Sequence, residues 1–251
     1  MTQIIHGVHP IHQALKAHRS QIKRIIISRQ KNRRALMEIL RLAEERGISI
    51  HWVERDNLTR VAKTTSHQGI LAYMDEFTYV EPSDIVQRWR ETGQKAFILI
   101  VDGVEDPQNL GGLIRTANAF GVHGVVIPKD RATAITPVVI KASVGAVFHT
   151  PISRVTNIAS CIEFLKKKGV WILGAEAESQ HAIYGYDLNL DLAIVIGSEG
   201  RGIRALVKKR CDFLVSIPLP GEITSLNASV AGALAMYEVS RQRLPGERSH
   251  D

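Results

Sequence analysis

Ile-Pro-Leu-Pro-Gly-Glu-Ile-Thr-Ser-Leu-Asn-Ala-Ser-Val-Ala-Gly-Ala-Leu-Ala-Met-Tyr-Glu, residues 217–238, runs from a short apolar strand end into a helix. Pro218, Pro220 and Gly221 break any regular ladder between the two. Ser225 or Asn227 can cap the helix by accepting from its first free N–H groups. Leu226, Val230, Ala233, Leu234 and Tyr237 recur at helical spacing, which predicts one buried stripe. Ala228, Ala231, Gly232 and Ala235 are small, so a second backbone can come close. Bare N–H and C=O groups beside a helix start suit a polar ligand. They suit a plain lead-in to a core helix as well.

Before this stretch, from Lys95 onward, strands and helices alternate. The strand candidates are Phe97–Val101, Gly124–Ile127, Ala146–Thr150, Val170–Gly174, Leu192–Ile196 and Phe213–Ile217. The helix candidates are Leu110–Phe120, Pro137–Val144, Asn157–Lys168, Ile203–Arg210 and Leu226–Arg241. This pattern predicts an α/β fold, a mostly parallel sheet with helices on both faces. Ligands in such sheets bind beyond the carboxyl ends of strands, so the loops after Val101, Gly174, Ile196 and Ile217 carry the information.

The front of the chain reads as a separate, small α/β unit. Pro10 starts a helix over His9–His18, Ile22–Ser28 is a β-branched strand, and Asn32 caps a helix that stops at Gly47. Ile48–Val53 is a second strand, Asp56 opens a short helix, and Gly69–Met74 is a third strand. Asp75–Gln94 reads as a connector holding a short helix that starts near Pro82 and ends at Gly93. The division is therefore 1–75, a linker at 76–94, and 95–251. The polar tail after Arg243 is expected to fray.

Composition narrows the classes. The 251 residues are 45% hydrophobic and 23% charged, as in ordinary soluble globular proteins. Cys161 and Cys211 lie far apart without a Cys-x-x-Cys, which argues against a disulfide framework and fits a reducing, cytoplasmic setting. No His/Cys/carboxylate cluster has metal-ligand spacing, so no metal is expected. No apolar run is long enough for a membrane span, and no secretory signal is visible. A formal charge of +7 and a pI near 9.5 attract polyanions, nucleic acid foremost, although a merely soluble basic protein has the same charge. With 6% aromatic residues a wide base-stacking platform is not expected. Lys23, Arg24, Arg29, Lys31, Arg33 and Arg34 cluster at a strand end and a helix start, where they hold phosphates or form a solvated face. Thr64–Gln68 is a polar loop that can touch RNA or serve only as a connection.

Two more loops carry unusual residues. The first, Asp102–Gly121, places Asn109 as an N-cap and then Gly111 and Gly112, which cost a helix roughly 1 kcal/mol each against alanine. Close approach to the backbone would explain that cost. Arg115 follows, able to grip a phosphate bidentately or to pair with Asp102 or Asp106. The second, Gly-Ser-Glu-Gly-Arg-Gly at 197–202, sets Glu199 among glycines at a strand's carboxyl end. Neither is a dinucleotide fingerprint.

Taken together, Asp102–Gly121, Gly197–Gly202 and Ile217–Glu238 resemble the three motifs of the SpoU-type (TrmH-like) RNA ribose 2′-O-methyltransferases. His6-Gly7-Val8, Ile25–Ser28 and His67-Gln68-Gly69-Ile70 resemble the ribosomal-protein-like RNA-binding domain of the family's ribosomal branch. Ala228 departs from the valine frequent in relatives, a matter of packing. The resemblance implies a C-terminal trefoil knot, bound S-adenosylmethionine and a homodimer with the active site near its interface. It implies a cofactor pocket at Gly174, Ala175, Gly197, Gly200, Ile217, Leu219 and Leu226. It also implies a catalytic set of Arg115, Asn109, Glu199, Ser225 and Asn227. The implied substrate is RNA, a guanosine ribose of large-subunit rRNA. The alternatives are tRNA, another rRNA site, or a non-catalytic RNA-binding assembly factor.

Overall fold

The front of the chain alternates β1 (Thr2–His6), α1 (Val8–Lys16), β2 (Ile22–Ser28), α2 (Met37–Glu45), β3 (Ser49–Val53), α3 (Arg55–Ala62) and β4 (Ile70–Asp75). The computed structural model describes residues 2–17 and 22–244; the predicted helix end at His18 and the tail from 245 on lie outside them. These strands form one sheet in the order β1-β4-β2-β3, with β2 and β3 parallel and both pairs made by β4 antiparallel. The β1 strand is an addition to the sequence reading, in which the run Gln3-Ile4-Ile5 is too short to stand out. Ile5, Ile25, Ile27, Ile70 and Leu71 of the sheet are buried with Ile11, Leu15, Ile39 and Leu58 of the helices. Asn32 caps a 3₁₀ turn, Arg33–Leu36, that leads into α2, its side chain accepting from Arg34 N at 2.9 Å. Asp56 lies inside α3, one residue past its start.

The second half continues with α4 (Pro82–Thr92), β5 (Phe97–Asp102), α5 (Pro107–Ala119), β6 (Gly124–Pro128), α6 (Pro137–Ala142), β7 (Ile152–Val155) and α7 (Ile158–Lys166). It ends with β8 (Trp171–Ala175), β9 (Leu192–Gly197), α8 (Ala205–Lys208), β10 (Phe213–Val215) and α9 (Ala228–Arg243). The strands form a sheet in the order β10-β8-β9-β5-β6-β7, every neighbouring pair parallel. Residues 97–102 and 192–197 are buried throughout, as central strands covered on both faces must be.

Contacts divide the chain into Met1–Thr78 with Ala134–His149, and Tyr79–Thr133 with Thr150–Asp251. Two stretches therefore differ from the sequence division. Within 76–94, α4 packs Ile85, Val86 and Trp89 into the second unit's core with Ile98, Ile162 and Ile172. Gly124 makes room for it: a Cβ there would stand 2.6 Å from Ile85. Residues 134–149 belong to the first unit, where Gln13 meets His149 at 2.8 Å.

Two local expectations are corrected. Ala146–Thr150 is not a strand. Gly145 turns left-handed at φ 84° and Ala146–Phe148 closes a 3₁₀ turn, so the strand starts at Ile152. In α9 the buried residues are Ala228, Gly232, Ala235, Met236 and Val239, whereas Val230, Leu234 and Tyr237 are 46%, 42% and 53% exposed. The predicted stripe therefore faces away from the chain's own core. The small residues instead meet α5. A Cβ on Gly232 would lie 2.2 Å from Leu113 Cδ2, and one on Gly112 would lie 3.2 Å from Ser229 Cβ. Cys161 and Cys211 are free, and burial pushes both thiols up to about 12, which keeps them unreactive at neutral pH.

Candidate active site

The strands β10, β8, β9 and β5 are neighbours, so the loops leaving their carboxyl ends are neighbours too. The β9 loop folds back on itself. Ser198 and Gly202 exchange both backbone bonds, at 3.1 and 2.9 Å, while Gly200 and Gly202 take φ values of 77° and 64°. A Cβ on Gly197 would stand 2.2 Å from the Gly202 carbonyl carbon, so only glycine fits there. The loop is anchored to β5. Asp102, fully buried, accepts from Arg204 N at 2.9 Å and Arg204 Nε at 2.7 Å.

That pairing leaves Arg115 elsewhere. Asp106 is also engaged, capping α5 by accepting from Gln108 N at 2.8 Å. Arg115 is exposed on α5 and makes no hydrogen bond or ion pair among the described residues. Asn109 is not the N-cap but lies in the first turn, buried, where its Nδ2 donates to Glu199 Oε1 at 2.8 Å. Asn227 is the N-cap of α9. Its Oδ1 accepts from Ser229 N at 3.0 Å and Val230 N at 3.3 Å. Its Nδ2 donates to Asn109 Oδ1 at 2.9 Å and also to Glu199 Oε1. Ala228 N adds a third donor to Glu199 Oε1, at 3.3 Å. A carboxylate that accepts at a helix start is favoured by the local dipole as well. Asn109, Glu199 and Asn227 thus join the three loops through their side chains.

Beside this junction opens a cavity of about 650 Å³. Ala175, Gly197, Gly200, Ile217, Leu219 and Leu226 line it, with Glu199 and Ser225 on its wall. Gly174 does not. It sits behind, where a Cβ would come 2.8 Å from Leu214 Cδ2 and 2.9 Å from Cys211 Sγ, so its part is packing. Arg115, Asn109 and Asn227 are not among the lining residues. Glu176, Glu178, Arg201, Lys208 and Thr224 line the cavity too and were not foreseen. The position of Glu176, just past a predicted strand end, is the signal that marks it; its carboxylate pairs with Lys208 at 3.2 Å. Among the described residues no group of three or more His, Cys, Asp or Glu is placed to hold a metal ion, and no helix is long and apolar enough to cross a membrane.

Comparison with known proteins gives the family. The model of the SpoU rRNA Methylase family matches residues 96–237, and one described as RNA 2′-O ribose methyltransferase substrate binding matches residues 4–80. The fold and the two family models together define an S-adenosylmethionine-dependent RNA ribose 2′-O-methyltransferase. The chain belongs to the SpoU rRNA methylase family. It is 42% identical to the 23S rRNA (guanosine-2′-O-)-methyltransferase RlmB of Coxiella burnetii (strain RSA 493 / Nine Mile phase I) over 239 residues, 95% of each chain. It is 46% identical over 208 residues, 83% of each chain, to YacO of Bacillus subtilis (strain 168), whose provisional name is TrmH family tRNA/rRNA methyltransferase. The structure of the SpoU methyltransferase AviRb from Streptomyces viridochromogenes in complex with AdoMet superposes with TM-score 0.81 at 23% identity, covering 96% of this chain and 90% of that one.

Proposed function

We propose that this protein methylates the ribose 2′-oxygen of a guanosine in 23S rRNA. The observation that carries the site assignment is the junction of Asn109, Glu199 and Asn227 beside the cavity. The rRNA target rests on the relative from Coxiella burnetii, matched along nearly the whole chain. The cavity suits S-adenosylmethionine: glycine backbones offer edges for adenine, and Ile217, Leu219 and Leu226 offer apolar walls. When bound, that cofactor supplies a sulfonium methyl group, whose S–C bond breaks as the ribose O–C bond forms.

The chain's own residues have two tasks, to hold the ribose hydroxyl in line and to let its proton leave. Orientation of this kind contributes roughly 7–11 kcal/mol in favourable cases. Glu199, Asn109, Asn227 and Ser225 hold the loops and orient the ribose and cofactor. Arg115 grips the phosphate beside the ribose. A guanidinium offers only N–H donors and no acceptor, so it is not the base; the phosphate it positions, or a water, takes the proton. The substrate is RNA because only ribose presents a 2′-hydroxyl. The cytoplasm is the compartment this reading implies.

The exposed stripe of Val230, Leu234 and Tyr237 supports a homodimer. A helix apolar on two faces is covered on both, here by α5 within the chain and by a second copy outside it. Light scattering should give twice the 27.8 kDa chain mass, and Leu234→Asp should give the monomer. A variant that remains dimeric removes α9 from the interface. We also infer the C-terminal trefoil knot, supported by the family and by the strand order; an experimental density map traced through residues 197–228 decides it.

The functional test is incubation of the protein and labelled S-adenosylmethionine with total RNA from a strain lacking the enzyme. Label should enter 23S rRNA at one guanosine ribose. Label in tRNA alone refutes the rRNA target, and cofactor binding without label in any RNA leaves the non-catalytic reading.

A further inference from the structure

The first unit has a cavity of its own, about 440 Å³, walled by Val8 and His9, by Gln30 and Lys31 after β2, by Arg55, and by the Gln68–Gly69 turn. Its walls are fixed from behind. His67 is fully buried, and its Nδ1 accepts from Gly69 N at 3.0 Å. The ring proton is therefore on Nε2, which donates to Thr59 Oγ1 at 3.1 Å. Gln68 takes φ 55°, a left-handed conformation that a non-glycine residue holds only where its surroundings impose it. Its Oε1 accepts from Val8 N at 2.9 Å and ties the turn to the start of α1. Gly69 follows at φ 77°, where a Cβ would stand 3.2 Å from Lys31 Cδ.

The exposed chemistry of this cavity is unspent. Lys31 and Arg55 have no ion-pair partner among the described residues, whereas nearby Arg29 reaches Glu54 at 3.9 Å. The side-chain amide of Gln30 and the Nε2 of Gln68 have no partner among them either. Two unpaired cations on a wall that also carries free amides match a ligand with one anionic group and one hydrogen-bonding edge.

We propose that this cavity takes one unpaired nucleotide of structured RNA, with its base edge against Gln30 and Gln68 and a flanking phosphate on Lys31 and Arg55. The proposal rests on RNA being the substrate and names how the first unit holds it. An A-form duplex hides its major-groove base edges in a deep, narrow groove and pairs its Watson–Crick edges, so sequence is read at splayed bases. Amide side chains carry a donor and an acceptor each, which suits a Watson–Crick edge. A volume of about 440 Å³ lies in the ordinary range for a ligand pocket, while phosphate binding alone needs no cavity. With few aromatic residues in the chain, the base is held by its edge rather than its face.

The test uses the full chain and two labelled hairpins of equal length, one fully paired and one with a randomised internal loop. Fluorescence anisotropy at one fixed salt concentration reads both affinities. The native chain should bind the looped hairpins about tenfold more tightly, the order of one hydrogen-bonded base-edge contact. Lys31→Ala with Arg55→Ala should weaken both RNAs. Gln30→Ala, at an exposed position that folding does not need, should reduce the loop preference on its own. Gln68→Ala should remove more, with circular dichroism reporting whether the turn still folds. Cofactor affinity, measured in the same samples, should not move. Equal binding of paired and looped RNA by the native chain overturns the socket while leaving RNA as substrate. A loop preference that survives both Gln30→Ala and a folded Gln68→Ala places the contact on another surface and overturns it too. Binding of neither hairpin sinks the RNA reading itself.

Discussion

Arg115→Ala is expected to stop methyl transfer while cofactor affinity stays within about twofold of the native chain. The two effects separate because Arg115 does not line the cavity and holds no other residue in place. Removing it costs no packing and leaves no buried partner unpaired. On the role proposed for Arg115, what is lost is a charge-assisted fork on the phosphate and the in-line geometry it sets. The loss of one preorganised charged contact in a transition state is on the order of a hundredfold to a thousandfold in rate. Arg115→Lys should recover a small part, since it restores the charge without the planar fork. Single-turnover kinetics with saturating RNA measure the rate, and calorimetric titration with S-adenosylmethionine measures the cofactor. Normal turnover by Arg115→Ala would remove Arg115 from the reaction. A loss of cofactor affinity as large as the loss of rate would make it a pocket residue instead.

The contrast between Arg115 and its surroundings marks what a sequence can and cannot disclose. Alternating apolar runs and turn residues announce a parallel sheet, because buried strands need continuous apolar sequence. Its ligand edge follows from strand direction. Local signals mark Glu199 only as a carboxylate among glycines and Asn227 as a cap, and they misplace Asn109 as a cap where Asp106 serves; it is the family resemblance that names the three as site residues. Neither discloses their mutual bonds. Asn109 and Asn227 lie 118 positions apart, and nothing local specifies that their amides meet. The same holds for Asp102 and Arg204, 102 positions apart. A free guanidinium six residues beyond Asn109 had two nearby carboxylates to choose from; the structure commits one to Arg204 and the other to a cap. The α9 stripe failed for another reason. Val230, Leu234 and Tyr237 have correct helical spacing, but spacing shows only that a face is apolar, not which neighbour covers it. Small residues on the other face, Gly232 above all, were the better sign of the close contact with α5. Strand Ile152–Val155 was missed because Ala146–Thr150 is equally apolar, and the turn set by Gly145 decided between them.

Arg204→Ala is expected to lower stability more than Asp102→Asn, although both break the same pair. The asymmetry comes from burial. The Asp102 side chain is 0% exposed and that of Arg204 is 44% exposed. Without Asp102 the guanidinium turns to water at little cost. Without the Arg204 side chain a carboxylate is left in the core with the residue 204 N–H as its only other partner among the described residues. Leaving a buried charge unpaired costs about 3–5 kcal/mol, and in a domain of this size each kcal/mol moves Tm by about 2–4 °C. A fall of about 10 °C is therefore expected for Arg204→Ala, with a few degrees for Asp102→Asn. The pair also pins the Gly197–Gly202 turn to β5, and that turn forms one wall of the cavity proposed for the cofactor. Arg204→Ala should thus weaken S-adenosylmethionine as well, by about tenfold at a temperature where the variant is folded, the order of one lost positioning bond. Scanning calorimetry and cofactor titration on the two variants read both effects. Equal Tm values for the two variants would show that the carboxylate finds other donors. An unchanged cofactor affinity would show that the glycine turn keeps its shape without the anchor, and would confine the role of Asp102 and Arg204 to stability.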